Sequence, residues 1–89
     1  MRRAARIDNN QKQIVTELRA LGISVEPNHH DLLIGYKNKT FWFEVKNSEA
    51  NARRKNLRPS QQRLLDEWRG HYAVVTSKEE ILKAIGYPG

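Results

Sequence analysis

The chain has no cysteine and no long apolar segment. The lack of cysteine excludes a disulfide framework and any thiolate metal site, which suits a reducing compartment. The apolar runs are far shorter than the roughly 20 residues that a membrane-spanning helix needs. Polar residues follow the arginine-rich start, where a signal peptide would have an apolar segment. We therefore expect a cytoplasmic protein with no membrane partner.

The length of the chain bounds its architecture. With 89 residues, the sequence predicts a single domain spanning residues 1–89. A chain of this size buries only about two-thirds of its unfolded surface. A second copy of the chain could add buried surface, which favours a homodimer.

Positive charge is in excess. Sixteen lysines and arginines against ten acidic residues give a formal net charge of +6, which favours a polyanionic partner and nucleic acid in particular. The basic residues cluster near the N-terminus and again in the second half of the chain. We interpret both clusters as phosphate contacts, with solubility alone as the alternative. They comprise Arg2, Arg3, Arg6, Arg53, Arg54, Lys55 and Arg58.

Apolar periodicity predicts an α/β fold with the element order α-β-β-β-α-β-α. Asp8 and Gln11 resemble a capping box at the start of the first helix, and Gly22 ends that helix. A three-stranded meander followed by a helical crossover predicts a four-stranded mixed sheet flanked by helices, with its last two strands parallel. The predicted segments are Asp8–Leu21, Ile23–Glu26, Asp31–Tyr36, a turn at Lys37–Lys39, Thr40–Lys46, a polar loop at Asn47–Leu57, Pro59–Trp68, His71–Val75 and a helix after Ser77.

The stretch FWFEVK, residues 41–46, carries the candidate chemistry. Glu44 and Lys46 share one face of the predicted strand, with Cα atoms about 6.6 Å apart, although such a pair also fits an ordinary solvated face. The hairpin would bring Asp31 opposite the end of the same strand. Two carboxylates and a lysine at one place favour a Mg²⁺ site completed by water, at which Lys46 could orient a water for phosphodiester hydrolysis.

The segment HDLLIGYKNKTFWFEVK, residues 30–46, resembles the D, E-x-K core of the PD-(D/E)xK nuclease superfamily. NQKQIVTELRALGISV (10–25), LRPSQ (57–61) and VVTSKEEILKAIG (74–86) resemble small phage-type nucleases near the VRR-NUC branch. The interval from Asp31 to Glu44 is similar to that in archaeal Holliday junction resolvases. The resemblance implies a restriction-endonuclease-like fold and a Mg²⁺-dependent DNA endonuclease, with Mn²⁺ as an alternative ion. It also implies a homodimer that cleaves Holliday junctions or other branched DNA.

The resemblance also implies roles for individual residues. Asp31, Glu44 and the carbonyl of Val45 would bind the metal, and Lys46 would be the catalytic lysine. Gln61 matches a glutamine at the start of the following helix in this branch.

A separate argument concerns the orientation of Gln61. It shares a helical face with Leu64, Leu65 and Trp68, which would aim its side chain at the sheet. A glutamine that bonds the free backbone groups of the helix start is the alternative.

Gln11 and His30 take supporting places in the resemblance. Gln11 stands where the resolvases have a glutamate and could hold a metal-bound water. His30 replaces the proline before the aspartate and is either a surface-turn residue or a local proton carrier. Adjacent histidines in an extended segment point to opposite sides, so no more than one of His29 and His30 could join Asp31 at a zinc ion.

Two alternatives stay open. Trp42 and Trp68 are interpreted as packing residues, although tryptophan can also stack on unpaired bases. A non-catalytic nucleic-acid-binding module with the same fold would need the same basic clusters. The joint presence of Asp31, Glu44 and Lys46 favours the enzyme.

Overall fold

The first helix, α1, is longer than the sequence predicts. The computed structural model describes residues 2–28 and 31–88, with side chains described for residues 11–28 and 31–88. Helix α1 spans Arg2–Ala20, so Asp8 lies within it. The capping box expected at Asp8 and Gln11 is therefore wrong. The preceding segment is rich in alanine and arginine, which are strong helix formers and extend the helix.

Gly22 ends α1, as predicted. Its φ angle is 84°, a left-handed conformation that glycine adopts without strain. The N–H of Gly22 donates to the carbonyl of Arg19 at 3.0 Å, and the N–H of Ile23 donates to the carbonyl of Leu18 at 3.2 Å. These two bonds form a Schellman motif, which satisfies carbonyls at the helix end.

Four strands form one sheet: β1 (Ser24–Asn28), β2 (Asp31–Tyr36), β3 (Lys39–Val45) and β4 (Tyr72–Val75). They lie side by side in chain order. The β1–β2 and β2–β3 pairs are antiparallel, and the β3–β4 pair is parallel. The predicted α/β class and the mixed four-stranded sheet, with its last two strands parallel, are confirmed.

Strand β1 runs through Pro27, whereas the sequence predicts that it stops there. Pro27 pairs with Leu32 of β2. Because β1 is an edge strand, its outer side has no neighbour to which a backbone N–H must donate, and proline is tolerated at such positions.

The β2–β3 hairpin has a two-residue loop. Tyr36 pairs with Lys39, and Lys37 and Asn38 between them have φ angles of 51° and 67°. Two consecutive positive φ angles match the right-handed twist of the flanking strands, which makes this loop type favourable in hairpins. The predicted turn is confirmed, except that Lys39 belongs to β3.

The segment predicted as a loop at 47–57 contains two short helical turns, α2 (Glu49–Ala52) and a 3-10 turn at Arg54–Asn56. Ser48 begins α2, since its hydroxyl accepts the N–H of Asn51 at 3.1 Å. The Asn56 side chain donates to the Ala50 carbonyl at 2.6 Å. Local side-chain bonds of this kind are weak sequence signals, which explains why the prediction of a polar loop missed these two helical turns.

Two further helices complete the layers, α3 (Pro59–Glu67) and α4 (Lys78–Ile85). Helices α1 and α4 cover one face of the sheet, and α3 lies against the other face, where Trp68 at its end packs on Trp42. No helix among residues 2–28 and 31–88 is long and apolar enough to cross a membrane. The buried apolar core consists of Ile14, Val15, Leu18, Ile23, Val25, Leu32, Ile34, Phe43, Val45, Val75, Ile81 and Ile85.

Candidate active site

Asp31 and Glu44 face each other across the β2–β3 hairpin. They are direct partners in the antiparallel register, so their Cβ atoms lie about 4.5–5.5 Å apart on the same face of the sheet. The meeting of these two residues was predicted from the hairpin and is confirmed. It occurs at the end of the hairpin opposite the turn, where β2 begins and β3 ends.

Glu44 is a buried carboxylate with an unpartnered oxygen. Its exposed fraction is 2%, and Oε2 has no hydrogen-bond partner among the residues that the structure describes. The pKa of Glu44 is raised to about 7, chiefly by burial and also by the adjacent Asp31, while Lys46 acts in the opposite direction. A group whose ionised form is this costly to bury would gain from a cation beside it.

Lys46 lies within reach of that carboxylate. Its Nζ is 3.6 Å from Glu44 Oε2, too far for a hydrogen bond but close enough for a strong Coulombic attraction. The backbone N–H of Lys46 donates to the Val75 carbonyl at 2.9 Å. This bond extends the pairing of β3 with β4 by one residue and holds Lys46 beside Glu44.

Trp42 orients Asp31. The indole Nε1 donates to Asp31 Oδ2 at 3.2 Å. The indole itself is held between two rings in edge-to-face geometry, Trp68 at 5.2 Å and Tyr72 at 4.9 Å between centroids. Trp42 is therefore a packing residue, as the sequence analysis predicts. Its hydrogen bond to Asp31 is a second role, which sequence reasoning missed. The available signal was the alternation that puts Trp42 and Glu44 on one face.

A cleft of about 440 Å³ opens over the two carboxylates. Four of the predicted site residues line it, together with four residues that were not predicted to belong to the site. The predicted ones are Asp31, Glu44, Arg58 and Gln61, and the additional ones are Asn28, Ser60, Leu64 and Tyr72.

Gln61 combines the two roles considered for it. Its Oε1 accepts the backbone N–H of Arg58 at 3.1 Å, which is the capping role. Its side chain is also buried at the wall of the cleft. The supporting argument from a shared helical face is wrong for Leu65, which is 39% exposed. Trp68 is half exposed but does contact the sheet, through the ring of Trp42.

The remaining residues implied by the resemblance lie in different places. The Val45 side chain is buried in the core, so only its backbone could reach a metal. Gln11 is buried on α1 and is not among the residues that line the cleft. His29 and His30 lie outside the described residues, as do the side chains of Arg2, Arg3 and Arg6.

The second basic cluster divides into three environments. Arg54 forms a two-pronged ion pair with Asp66, with N–O distances of 2.8 and 2.7 Å. Arg53 and Lys55 are exposed. Arg58 lines the cleft, so it is the member of this cluster placed to meet a ligand there.

The two carboxylates suit a hard divalent cation that takes few ligands from the protein and the rest from water. The described residues contain no group of three or more His, Asp or Glu side chains that could hold a metal. Mg²⁺ is commonly held by one or two carboxylates and several waters. Asp31 and Glu44, with the unpartnered oxygen of Glu44, fit that pattern.

Comparison of the chain with protein-family models, with curated proteins and with solved structures gave no match.

Proposed function

We propose that the protein is a Mg²⁺-dependent DNA endonuclease with a restriction-endonuclease-like fold, which hydrolyses phosphodiester bonds. The observation that carries the proposal is the direct pairing of Asp31 with Glu44, with Lys46 Nζ 3.6 Å from Glu44 Oε2. The sequence resemblance to the PD-(D/E)xK superfamily rests on the same three residues.

Residues in and beside the cleft would have distinct roles in this reaction. Asp31, Glu44 and the Val45 carbonyl would hold the ion, and the Trp42 N–H keeps the Asp31 carboxylate oriented. Mg²⁺, or Mn²⁺ in its place, supplies Lewis acidity toward the phosphodiester and a bound water of lowered pKa. Lys46 would orient the attacking water and offset the negative charge that develops on the phosphate.

Binding of DNA would rest on backbone phosphates. Arg58 in the cleft and the exposed Arg53 and Lys55 provide positive charge near one another in the chain. Arg54 is less suited to this role because Asp66 already satisfies its guanidinium. Phosphate contacts give affinity without sequence choice, which favours selection by DNA structure.

The substrate would be branched DNA, with a Holliday junction as the first candidate, and the active form a homodimer. Each chain contributes one carboxylate pair, whereas symmetric cleavage of a junction requires two. A dimer would therefore supply both active sites.

A cleavage assay tests the proposal. Four-way junction, flap and linear duplex DNA are incubated with the protein in Mg²⁺, Mn²⁺ or EDTA. We expect cleavage in either metal and none in EDTA. Glu44→Gln and Lys46→Met should each lower the rate by about a hundredfold or more, since the first removes a carboxylate that would hold the ion and the second removes positive charge at the reacting phosphate.

Glu26→Gln is the matched control, because Glu26 is an exposed carboxylate on β1 of the same sheet. It should cleave at the native rate. If the native protein leaves every substrate intact in both metals while still binding DNA, the chain is a binding module and the catalytic proposal fails.

A further inference from the structure

Tyr72 shares the open face of the sheet with the two carboxylates. The parallel register pairs Tyr72 with Trp42 and Val74 with Glu44. Because paired residues of neighbouring strands lie on the same face and alternate residues of one strand do too, Tyr72 lies beside the site. It is one of the residues that line the cleft.

The ring of Tyr72 is held while its hydroxyl is left without a partner. The ring packs edge-to-face on Trp42 with centroids 4.9 Å apart. The hydroxyl oxygen is buried and makes no hydrogen bond with any residue in the described part of the chain. A buried hydroxyl in this condition costs folding free energy, and phenylalanine would preserve the packing without that cost.

We propose that Tyr72 contacts the substrate: a small shift of its side chain at the cleft wall uncovers the buried hydroxyl, which then donates a hydrogen bond to a non-bridging oxygen of the phosphodiester bound in the cleft. The inference rests on the proposed function. Lys46 and Arg58 offer positive charge on long, flexible side chains, whereas a phenol packed on a sheet strand offers one donor from a fixed position.

The surroundings of Tyr72 keep it a donor. Burial raises the pKa of the phenol well above its usual range, and the charges of Glu44 and Asp31 raise it further. A protonated phenol can donate one hydrogen bond. A neutral donor also avoids the electrostatic competition with the cation held by Asp31 and Glu44 that a second lysine would introduce.

The test compares Tyr72→Phe with Tyr87→Phe. Tyr87 pairs with Tyr36 on the far side of the sheet, with ring centroids 5.7 Å apart, so the same chemical change there serves as the control. Binding of a fluorescein-labelled four-way junction is measured by anisotropy in Ca²⁺, and single-turnover cleavage is measured in Mg²⁺. We expect Tyr72→Phe to weaken binding or slow cleavage by about tenfold to a hundredfold in total, the usual range for a hydrogen bond to a charged group.

A readout of stability separates this contact from a structural role. Tyr72→Phe should melt at or above the native temperature, because it removes an unsatisfied hydroxyl. A methylphosphonate at the bound phosphate, which replaces one non-bridging oxygen, should remove the difference between native and variant for one of its two stereoisomers.

The outcomes distinguish the two proposals. If Tyr72→Phe binds and cleaves like Tyr87→Phe while the native protein remains active, the inference about Tyr72 is wrong and the nuclease stands. If the native protein never cleaves but Tyr72→Phe still loses affinity for the junction, the phosphate contact stands and the nuclease does not.

Discussion

The two faces of the β2–β3 hairpin bury different kinds of side chain, although the residues of the two faces alternate along the same two strands. On one face, Leu32, Ile34 and Phe43 are fully buried and apolar. On the other, Glu44 is almost as deeply buried at 2% exposure, yet it is ionisable, and one of its oxygens has no hydrogen-bond partner within residues 2–28 and 31–88. Leu33 on that same face is 47% exposed.

The difference separates the residues that stabilise the hairpin from those that give it chemistry. The apolar face fixes the register, because a slip of one residue would move every core side chain to the wrong side. That register in turn fixes Asp31 opposite Glu44. The polar face costs stability, and such local violations of burial are typical of functional sites.

The largest expected effect lies on the apolar face. Phe43→Ala should lower the free energy of unfolding by about 3–5 kcal/mol, because it removes a fully buried ring and leaves a cavity. Leu33→Ala, on the open face of the same hairpin, should cost less than about 1 kcal/mol. Urea denaturation followed by circular dichroism measures both, and equal losses would erase the distinction between the faces.

The next effect is a dependence of folding stability on pH, which Glu44 produces on the open face and which the apolar face, having no ionisable side chain among Leu32, Ile34 and Phe43, does not. The pKa of Glu44 is raised from 4.5 to about 7 in the folded protein. Between these values the folded state binds a proton that the unfolded state has lost, so the free energy of unfolding falls as pH rises through this window. At pH 8 in EDTA the accumulated loss is at most about 3 kcal/mol.

Glu44→Gln should remove this dependence, so that its stability relative to the native protein grows from pH 4.5 to pH 8. Urea titrations in EDTA across that range measure the difference. A constant difference would mean that Glu44 titrates normally and that its burial carries no electrostatic cost.

A smaller effect sharpens the role of Trp42 on the open face. Trp42→Phe keeps an aromatic ring between Trp68 and Tyr72 but loses the hydrogen bond to Asp31. We expect Mn²⁺ affinity to fall roughly tenfold, as is usual when a partner that orients a metal ligand is lost. Trp68→Phe, which leaves that bond intact, is the control for calorimetric titration. Equal Mn²⁺ affinities in the two variants would mean that Trp42 contributes packing only and does not orient Asp31.

Sequence reasoning reached the hairpin and its carboxylates because the signals are local. Asn38 favours the left-handed turn, and the alternation of FWFEVK assigns one face to the core. It failed at Asp8, where helix propensity outweighed a capping pattern, and at Leu65, whose apolar character does not reveal that α3 touches the sheet along only a narrow stripe.

By itself, therefore, the sequence determined that Asp31 lies opposite the end of the strand that carries Glu44 and Lys46, since a short turn joins the two strands. The structure decided that the turn has two residues, which pairs Asp31 directly with Glu44. Tertiary structure decided what completes the cleft. Tyr72 reaches the site through the parallel pairing of β3 with β4, and a shift of one residue there would have presented His71 or Ala73 in its place. That register depends on how a helical crossover packs, which is set by many distant contacts rather than by any local pattern.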